Sequence, residues 1–266
     1  MTDDRLSLAG WSLVRRFRSQ ENPLALLDFP RVARREFGFD AVELNSPFFT
    51  SLDGDYLAEL RGNAEREGVE LLGIAVDQQG DLASLDAEER RAAVERHVAW
   101  LDAAAALGCS FVRANLGGRD TPDPEGALRG GIEGFGALAE AAGKRGVTVV
   151  LENHWGLTED PENMVRVFEG VNSPHFGALL DFGNFPAATR YAALERIAPY
   201  AKTVHAKIYD FDDRGQPLDL DVARCVEIAR GAGYSGVWGI EYEGKGDEVY
   251  GINRSKELIW EMLGLA

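Results

Sequence analysis

Four apolar runs in the second half of the chain end in a side chain able to hold a proton or a cation. They are Glu152 in "VTVVLENH", Asp181 in "GALLDFGN", His205 in "KTVHAK" and Glu241 in "GVWGIEYEG". Singly, each has an ordinary role. A carboxylate at a strand end anchors a loop or an ion pair, and a buried histidine hydrogen-bonds within the core. Together they raise a different possibility. Three carboxylates crowded into a partly dry site repel one another and raise each other's pKa unless a cation neutralises them. Three carboxylate oxygens and one imidazole nitrogen suit Mn²⁺, Mg²⁺, Co²⁺ or Zn²⁺, with manganese first, and leave room for water or substrate oxygens. The condition is that the four groups meet in space.

The elements around them meet that condition. A pattern of amphipathic helix, Gly, short apolar strand and polar exit recurs in "EFGFDAVELN", "EREGVELLGIAVD", "ALGCSFVRANLGG", "KRGVTVVLENH" and "GAGYSGVWGIEYEG". Glycine after a helix supplies the left-handed cap that turns the chain into the next strand. "FGALLDFGN" and "AKTVHAKIYD" lack the glycine entry but end alike, and "LSLAGWS" makes eight strands. The segment "DAEERRAAVERHVAWLDAAAALG" carries apolar residues at Ala93, Val94, Val98, Leu101 and Ala105, close to helical spacing. Strands apolar at nearly every position are expected to be parallel and buried on both faces. Eight β–α alternations of this kind predict an α/β fold, a single (β/α)8 barrel over residues 1–266, with a closed parallel sheet and outer helices. An open doubly wound sheet is the alternative, but "LAGWSLVRRF" lacks the glycine-rich first turn of that class. In a closed barrel, all strand C-termini share one face, and chemistry sits there. Strands five to eight would then bring Glu152, Asp181, His205 and Glu241 to one side of the mouth.

"VLENH", "LLDFGN", "VHAK" and "IEYEG", in this order and spacing, resemble the xylose isomerase-like TIM barrel family. That family holds sugar and sugar-phosphate isomerases and epimerases, inosose dehydratases and endonuclease IV-like proteins. The resemblance implies that Glu152, Asp181, His205 and Glu241 are the ligands of one divalent metal ion. It implies too that Glu152 and Glu241 flank a small sugar substrate, a keto-sugar, sugar phosphate or cyclitol, as the proton-transfer pair. A metal that polarises a ketone stabilises the enediolate formed when the adjacent C–H loses its proton. Proton return to the other face is epimerisation, and return to the neighbouring carbon is isomerisation. Loss of a β-leaving group gives the alternative, a lyase or dehydratase acting on a keto-sugar or inosose. The endonuclease branch needs several more histidines for its three-zinc site than the four in this chain.

Other polar residues at strand exits are candidates for substrate contacts. His154 and Lys207 follow Glu152 and His205 by two residues, so they share their faces. His154 either holds a substrate hydroxyl and assists as acid or base, or makes a structural loop bond. Lys207 either binds an oxyanion or hydroxyl, or pairs with a nearby acid. Asn184 stands where the resemblance places a substrate-contacting histidine in some epimerases. Glu43 and Asn45 end the second strand, Asp77 the third, and Arg113 and Asn115 the fourth. Arg113 either reads a carboxylate or phosphate bidentately or pairs with Glu43 inside the barrel. Gly117 and Gly118 are a weak candidate for a phosphate cradle. Of Trp11, Phe48, Phe49 and Trp155 near the mouth, Trp11 is expected in the core. His97 and His175 lie away from strand exits and are expected to be non-catalytic.

A formal net charge of -16 opposes binding to nucleic acid and to anionic membrane surfaces. Cys109 and Cys225 are the only cysteines and form no CxxC, so buried thiols are expected rather than a disulfide scaffold or Cys-based zinc site. "MTDDRLSLAG" lacks the pattern of a secretion signal, and no run approaches the roughly 18 apolar residues of a membrane span. A cytoplasmic protein is the expectation. Barrels of this kind often form homo-oligomers, but the sequence carries no interface signature.

Overall fold

Helix caps written in the sequence set the alternation of elements. Asp86, Asp123, Asp160, Asp221 and Asp247 each accept a hydrogen bond from the first turn of the helix that follows, satisfying amide groups the helix cannot pair itself. At the other ends, Gly68 and Gly108 take φ of +65° and +79° and reverse the chain toward the sheet. The two strands without a glycine entry use other devices. Asn172 adopts the left-handed conformation before one of them. A 3-10 turn carrying Pro199 precedes the other.

The computed structural model describes residues 4–265. Its strands are β1 (Arg5–Ala9), β2 (Ala41–Asn45), β3 (Glu70–Ala75), β4 (Phe111–Ala114), β5 (Thr148–Glu152), β6 (Phe176–Asp181), β7 (Ala201–Ile208) and β8 (Val237–Tyr242). They pair in parallel in sequence order, and β8 pairs β1 to close the barrel. Between and after them run α1 (Val14–Phe17), α2 (Phe29–Phe37), α3 (Gly54–Glu67), α4 (Ala87–Leu107), α5 (Pro124–Gly143), α6 (Pro161–Val171), α7 (Arg190–Ile197), α8 (Val222–Gly231) and α9 (Glu248–Leu263). Among the described residues, no helix is long and apolar enough to cross a membrane.

The main core lies between the sheet and the helices. Outward strand residues such as Val42, Leu44, Val149, Leu151, Val204, Ala206, Trp238 and Ile240 pack there. Inside the barrel, the strands stay apolar only as far as their polar exits. A small apolar layer of Ala41, Leu72, Phe111, Val150 and Leu179 fills one end. Two residues further along the strands the inward positions carry Glu43, Arg113, Glu152 and Asp181, all buried. Inward and outward residues alternate with period two, so the interior turns polar while the outer face stays apolar. The α4 stripe differs from expectation. Its buried face runs through Ala93, His97, Trp100, Leu101 and Ala104, while Ala105 is exposed. Cys109 and Cys225 are buried thiols, as expected.

The closing seam is latched by Asp4. Its Oδ1 accepts from Trp238 Nε1 (2.9 Å) and Gly236 N (3.1 Å), and its Oδ2 pairs Arg230 at 2.8 Å. Asp4→Ala strands the indole N–H of Trp238 in the core. It is expected to lower unfolding free energy by about 1–3 kcal/mol, measured by urea denaturation. A change within experimental error would show that the latch does not hold the seam.

Candidate metal centre and active site

Sheet register assembles the four strand-end groups. Asp181 at the end of β6 lies opposite His205 of β7, and Lys207 of β7 lies opposite Glu241 of β8. Glu152 ends the adjacent β5. One ligand atom from each of Glu152, Asp181, His205 and Glu241 lies within 4.8 Å of the others, and all four residues are buried. Opposed ligands on a small dication stand about 4.2–4.4 Å apart. The cluster is therefore only slightly wider than a closed coordination shell.

The hydrogen bonds around these groups leave specific atoms free. Asp181 Oδ1 accepts from Gly183 N (2.8 Å) and Asn184 N (2.9 Å), while its Oδ2 has no hydrogen bond. His205 Nε2–H donates to Glu43 Oε2 at 2.8 Å, which leaves Nδ1 buried without a hydrogen bond, 3.4 Å from Glu241 Oε2. Glu43 in turn accepts from Ser7 Oγ at 2.6 Å. Glu241 Oε2 is a third buried atom without a hydrogen bond. Lys207 Nζ stands 3.3 Å from Asp181 Oδ2 and 3.0 Å from Glu241 Oε2, close enough for charge attraction but not aligned as a donor. Buried polar atoms are nearly always paired, so three orphans facing one point mark a place for a ligand. The donor set, oxygens with one nitrogen, fits a hard divalent cation.

Charge and burial pull these groups in opposite directions. Burial pushes the Asp181 carboxyl up to about 7, helped by the negative charges of Glu152 and Glu241, while Lys207 and His205 oppose the rise. Burial acts likewise on Glu241, but Lys207 and His205 outweigh it and hold that carboxyl below the usual range. Glu152 is held down despite burial by His154, Arg113 and Lys207. For the cations burial works downward, yet His205 is raised by Glu241 and Glu43, and Lys207 by Asp181, Glu241, Glu243 and Glu152. Glu152, Glu241, His205 and Lys207 thus favour one another's charged forms, while Asp181 is pushed toward its neutral form.

The sequence model of the xylose isomerase-like TIM barrel family matches residues 32–261. The chain belongs to that family. No curated protein matches the sequence. Among solved structures, an L-ribulose 3-epimerase is similar with a TM-score of 0.77 at 17% identity, over 98% of this chain and 95% of that one. A D-tagatose 3-epimerase-like protein has a TM-score of 0.75 at 21% identity, over 100% and 98%. A zinc-bound IOLI protein has a TM-score of 0.75 at 16% identity, over 100% and 99%. At these identities, the likeness is one of fold.

In this xylose isomerase-like barrel, the other candidate residues divide between mouth and support. A cavity of about 260 Å³ at the strand ends is lined by Trp11, Asn45, Arg113, His154, Lys207 and Glu243, beside Glu152, Glu241 and Asp77. Trp11 is half-buried there, stacked on Phe48, and not in the core. Phe49 instead packs edge-on against Trp100. Glu43 is not a mouth residue, because Ser7 and His205 engage both its oxygens. Arg113 pairs with Asp77 (2.6 Å) and Glu152 (3.0 Å), not with Glu43, which lies behind His205. Asn184 braces the cluster, donating to Glu152 Oε1 and accepting from Lys207, both at 3.1 Å. Asn115 donates to Asp77 and meets His154 Nδ1 at 3.2 Å. The Gly118 N–H donates to Asp81, so the Gly117–Gly118 turn is not a phosphate cradle.

Sequence reasoning passed over two residues. Glu243 pairs Lys207 at 3.0 Å. It follows Glu241 by two, the same period that pointed to His154 and Lys207. Asn153 exchanges two 2.9 Å bonds with the Asp181 backbone, a role that nothing in the sequence signals.

Lys207 is the cation shared by three acids. Lys207→Met removes the shared countercharge from buried Asp181 and Glu241 and half-buried Glu243, leaving only His205 near Glu241. It is expected to cost about 3–5 kcal/mol, measured by denaturant unfolding in EDTA. Because folding raises the Lys207 pKa, its contribution is complete at neutral pH and fades only above the ordinary lysine range. A loss below about 1 kcal/mol, the scale of exposed pairs, would refute the countercharge role.

Proposed function

We propose that the protein is a divalent-metal-dependent isomerase or epimerase of a keto-sugar or cyclitol. Glu152, Asp181, His205 through Nδ1, and Glu241 would hold the ion, with Mn²⁺ as the proposed metal. The observation that carries the reading is the convergence of these four groups, three of them with an orphaned buried atom directed at the others. Membership of the family and the epimerase-like fold support it.

When bound, a divalent ion supplies a Lewis acid that draws charge onto the substrate carbonyl and favours loss of the neighbouring proton. The chain's own residues do the rest. Glu152 and Glu241 are both held ionised, so either is ready to take that proton. Asn184 at 3.1 Å fixes the Glu152 carboxylate, and Lys207 at 3.0 Å holds Glu241. His154, 33% exposed and 3.9 Å from Glu152, stands where a proton passes between the site and solvent. Burial lowers its pKa while the Glu152 carboxylate pulls it up, so the ring can pass a proton either way. Asn45 Oδ1, buried without a partner in the mouth wall, accepts from a substrate hydroxyl. The Trp11 ring offers an apolar face to the C–H side of a sugar.

Mn²⁺-loaded protein in D₂O is expected to place solvent deuterium into a ketose, 3-keto-glycoside or inosose without loss of mass from the carbon skeleton. Product lacking water or an aglycone would instead place it in the lyase branch. Glu152→Gln is expected to lower kcat by about 10²–10⁴-fold while keeping most of the bound metal. Normal turnover by that variant would remove Glu152 as a base. His205→Ala is expected to lose metal on dialysis, and full occupancy by elemental analysis would remove His205 as a ligand.

A further inference from the structure

Beside the mouth lies a second cavity of about 460 Å³, walled by Val76, Gln78, His97, Asn115, Arg119 and Trp155 among others. The two cavities are back to back. Asp77 and His154 face the mouth, while their chain neighbours Val76, Gln78 and Trp155 face the second chamber. Asn115 forms the partition, bonded to Asp77 Oδ1 at 3.1 Å and to His154 Nδ1 at 3.2 Å. Asn115 thus lines one cavity and bonds to two residues that line the other, and His154 is 33% exposed.

The chamber's shape is preset. Asp81 clasps the loops after β3 and β4, accepting from Ala83 N (2.8 Å) and Gly118 N (3.0 Å). Gly117 sits so close that a Cβ there would lie 1.9 Å from Asp81 Oδ1. His97, on the inner face of α4, donates from Nδ1 to Ala93 O at 2.8 Å. That bond fixes the tautomer and leaves Nε2 as an acceptor, and burial keeps the ring neutral. Trp155 contributes an indole N–H and a ring, and Gln78 an amide. Arg119 lies over the Trp155 ring at 4.4 Å.

These groups fit a neutral, hydroxyl-rich ligand. Asp81 and Glu89 outnumber the one lining cation, Arg119, which disfavours a phosphate or carboxylate. Acceptors on His97, Gln78 and Glu89, donors on Gln78, Arg119 and Trp155, and an aromatic ring suit the hydroxyls and C–H faces of a sugar. Size agrees. The mouth alone, about 260 Å³, falls below the about 300–1,000 Å³ of typical small-molecule sites, and the adjoining chamber brings the whole into that range. We propose that this chamber is a second carbohydrate subsite. The substrate is then a glycoside or disaccharide, with the reacting ring in the mouth, the linkage over His154 and the second ring against Trp155. The substrate assignment rests on the keto-sugar reading of the mouth.

Saturation-transfer NMR on the whole protein with methyl β-cellobioside, methyl β-maltoside and methyl β-D-glucopyranoside tests this without turnover. At least one disaccharide is expected to bind tenfold or more tighter than the monosaccharide, with saturation on both rings. Trp155→Ala is expected to abolish that advantage. Gln78→Ala, at an exposed position, is expected to reduce it and keeps the test open if the first variant does not fold. Equal affinity for all three probes, or an advantage that survives the substitutions, overturns the proposal. Failure of the keto-sugar reading shows separately, as no deuterium exchange into any keto-sugar by metal-loaded protein, whatever the glycosides do.

Discussion

The structure depends on matching charge where water is scarce. Glu43, Glu152, Asp181 and Glu241 are buried at one end of the barrel with only Arg113, His205 and Lys207 buried beside them. An isolated buried ion costs several kcal/mol even after relaxation, so none of these residues is tolerable alone. Each acid touches a base, and Lys207 touches three acids. Asp181 is the least satisfied, its pKa lifted to about 7 by burial and by its acidic neighbours. A dication at that point would add the positive charge that the fixed bases do not supply. The same feature that strains the protein electrostatically is what would suit it to hold a metal.

The barrel makes this crowding affordable in geometry. Period-two alternation lets one strand serve two environments, so β7 directs Val204 and Ala206 at the helices while His205 and Lys207 face inward. Parallel register then sets neighbours at equal height, which is why Asp181 meets His205 and Lys207 meets Glu241. The apolar layer of Ala41, Leu72, Phe111, Val150 and Leu179 closes the far end. It keeps water out from below and confines access to the mouth.

Much of this was legible in the sequence because it obeys local rules. Eight strands, their order and the four convergent groups followed from caps, apolar runs and polar exits. What escaped depends on relations between distant segments. The partners of Arg113 are Asp77, just past the end of the adjacent β3, and Glu152 on β5, rather than Glu43. Nothing in "VELN" or "VRAN" selects among these acids. Trp11 appeared to belong to the core because tryptophan usually does, but the short turn after β1 lifts it to the rim beside Phe48. His97 falls on the buried face of α4 because tertiary packing chose a stripe one step away from the most apolar one. Asn153 could not be foreseen, since its partners are backbone atoms of another strand.

Gly239 shows how far the site constrains residues that carry no chemistry. It lies on β8 opposite His205, two residues before Glu241. A Cβ there would stand 2.5 Å from Glu43 Oε1 and 2.9 Å from His205 Cδ2. The carboxylate that orients the imidazole therefore occupies space that any other residue type would fill. Glu43 has no room to retreat, with Ser7 and His205 already on its two oxygens. The absence of a side chain at Gly239 is what allows Glu43 to reach Nε2 and leave Nδ1 facing the other three groups. A glycine inside an otherwise apolar strand would usually read as a weak point. In "VWGIEYEG" it is the condition for the histidine's orientation, and so for whatever the four groups hold.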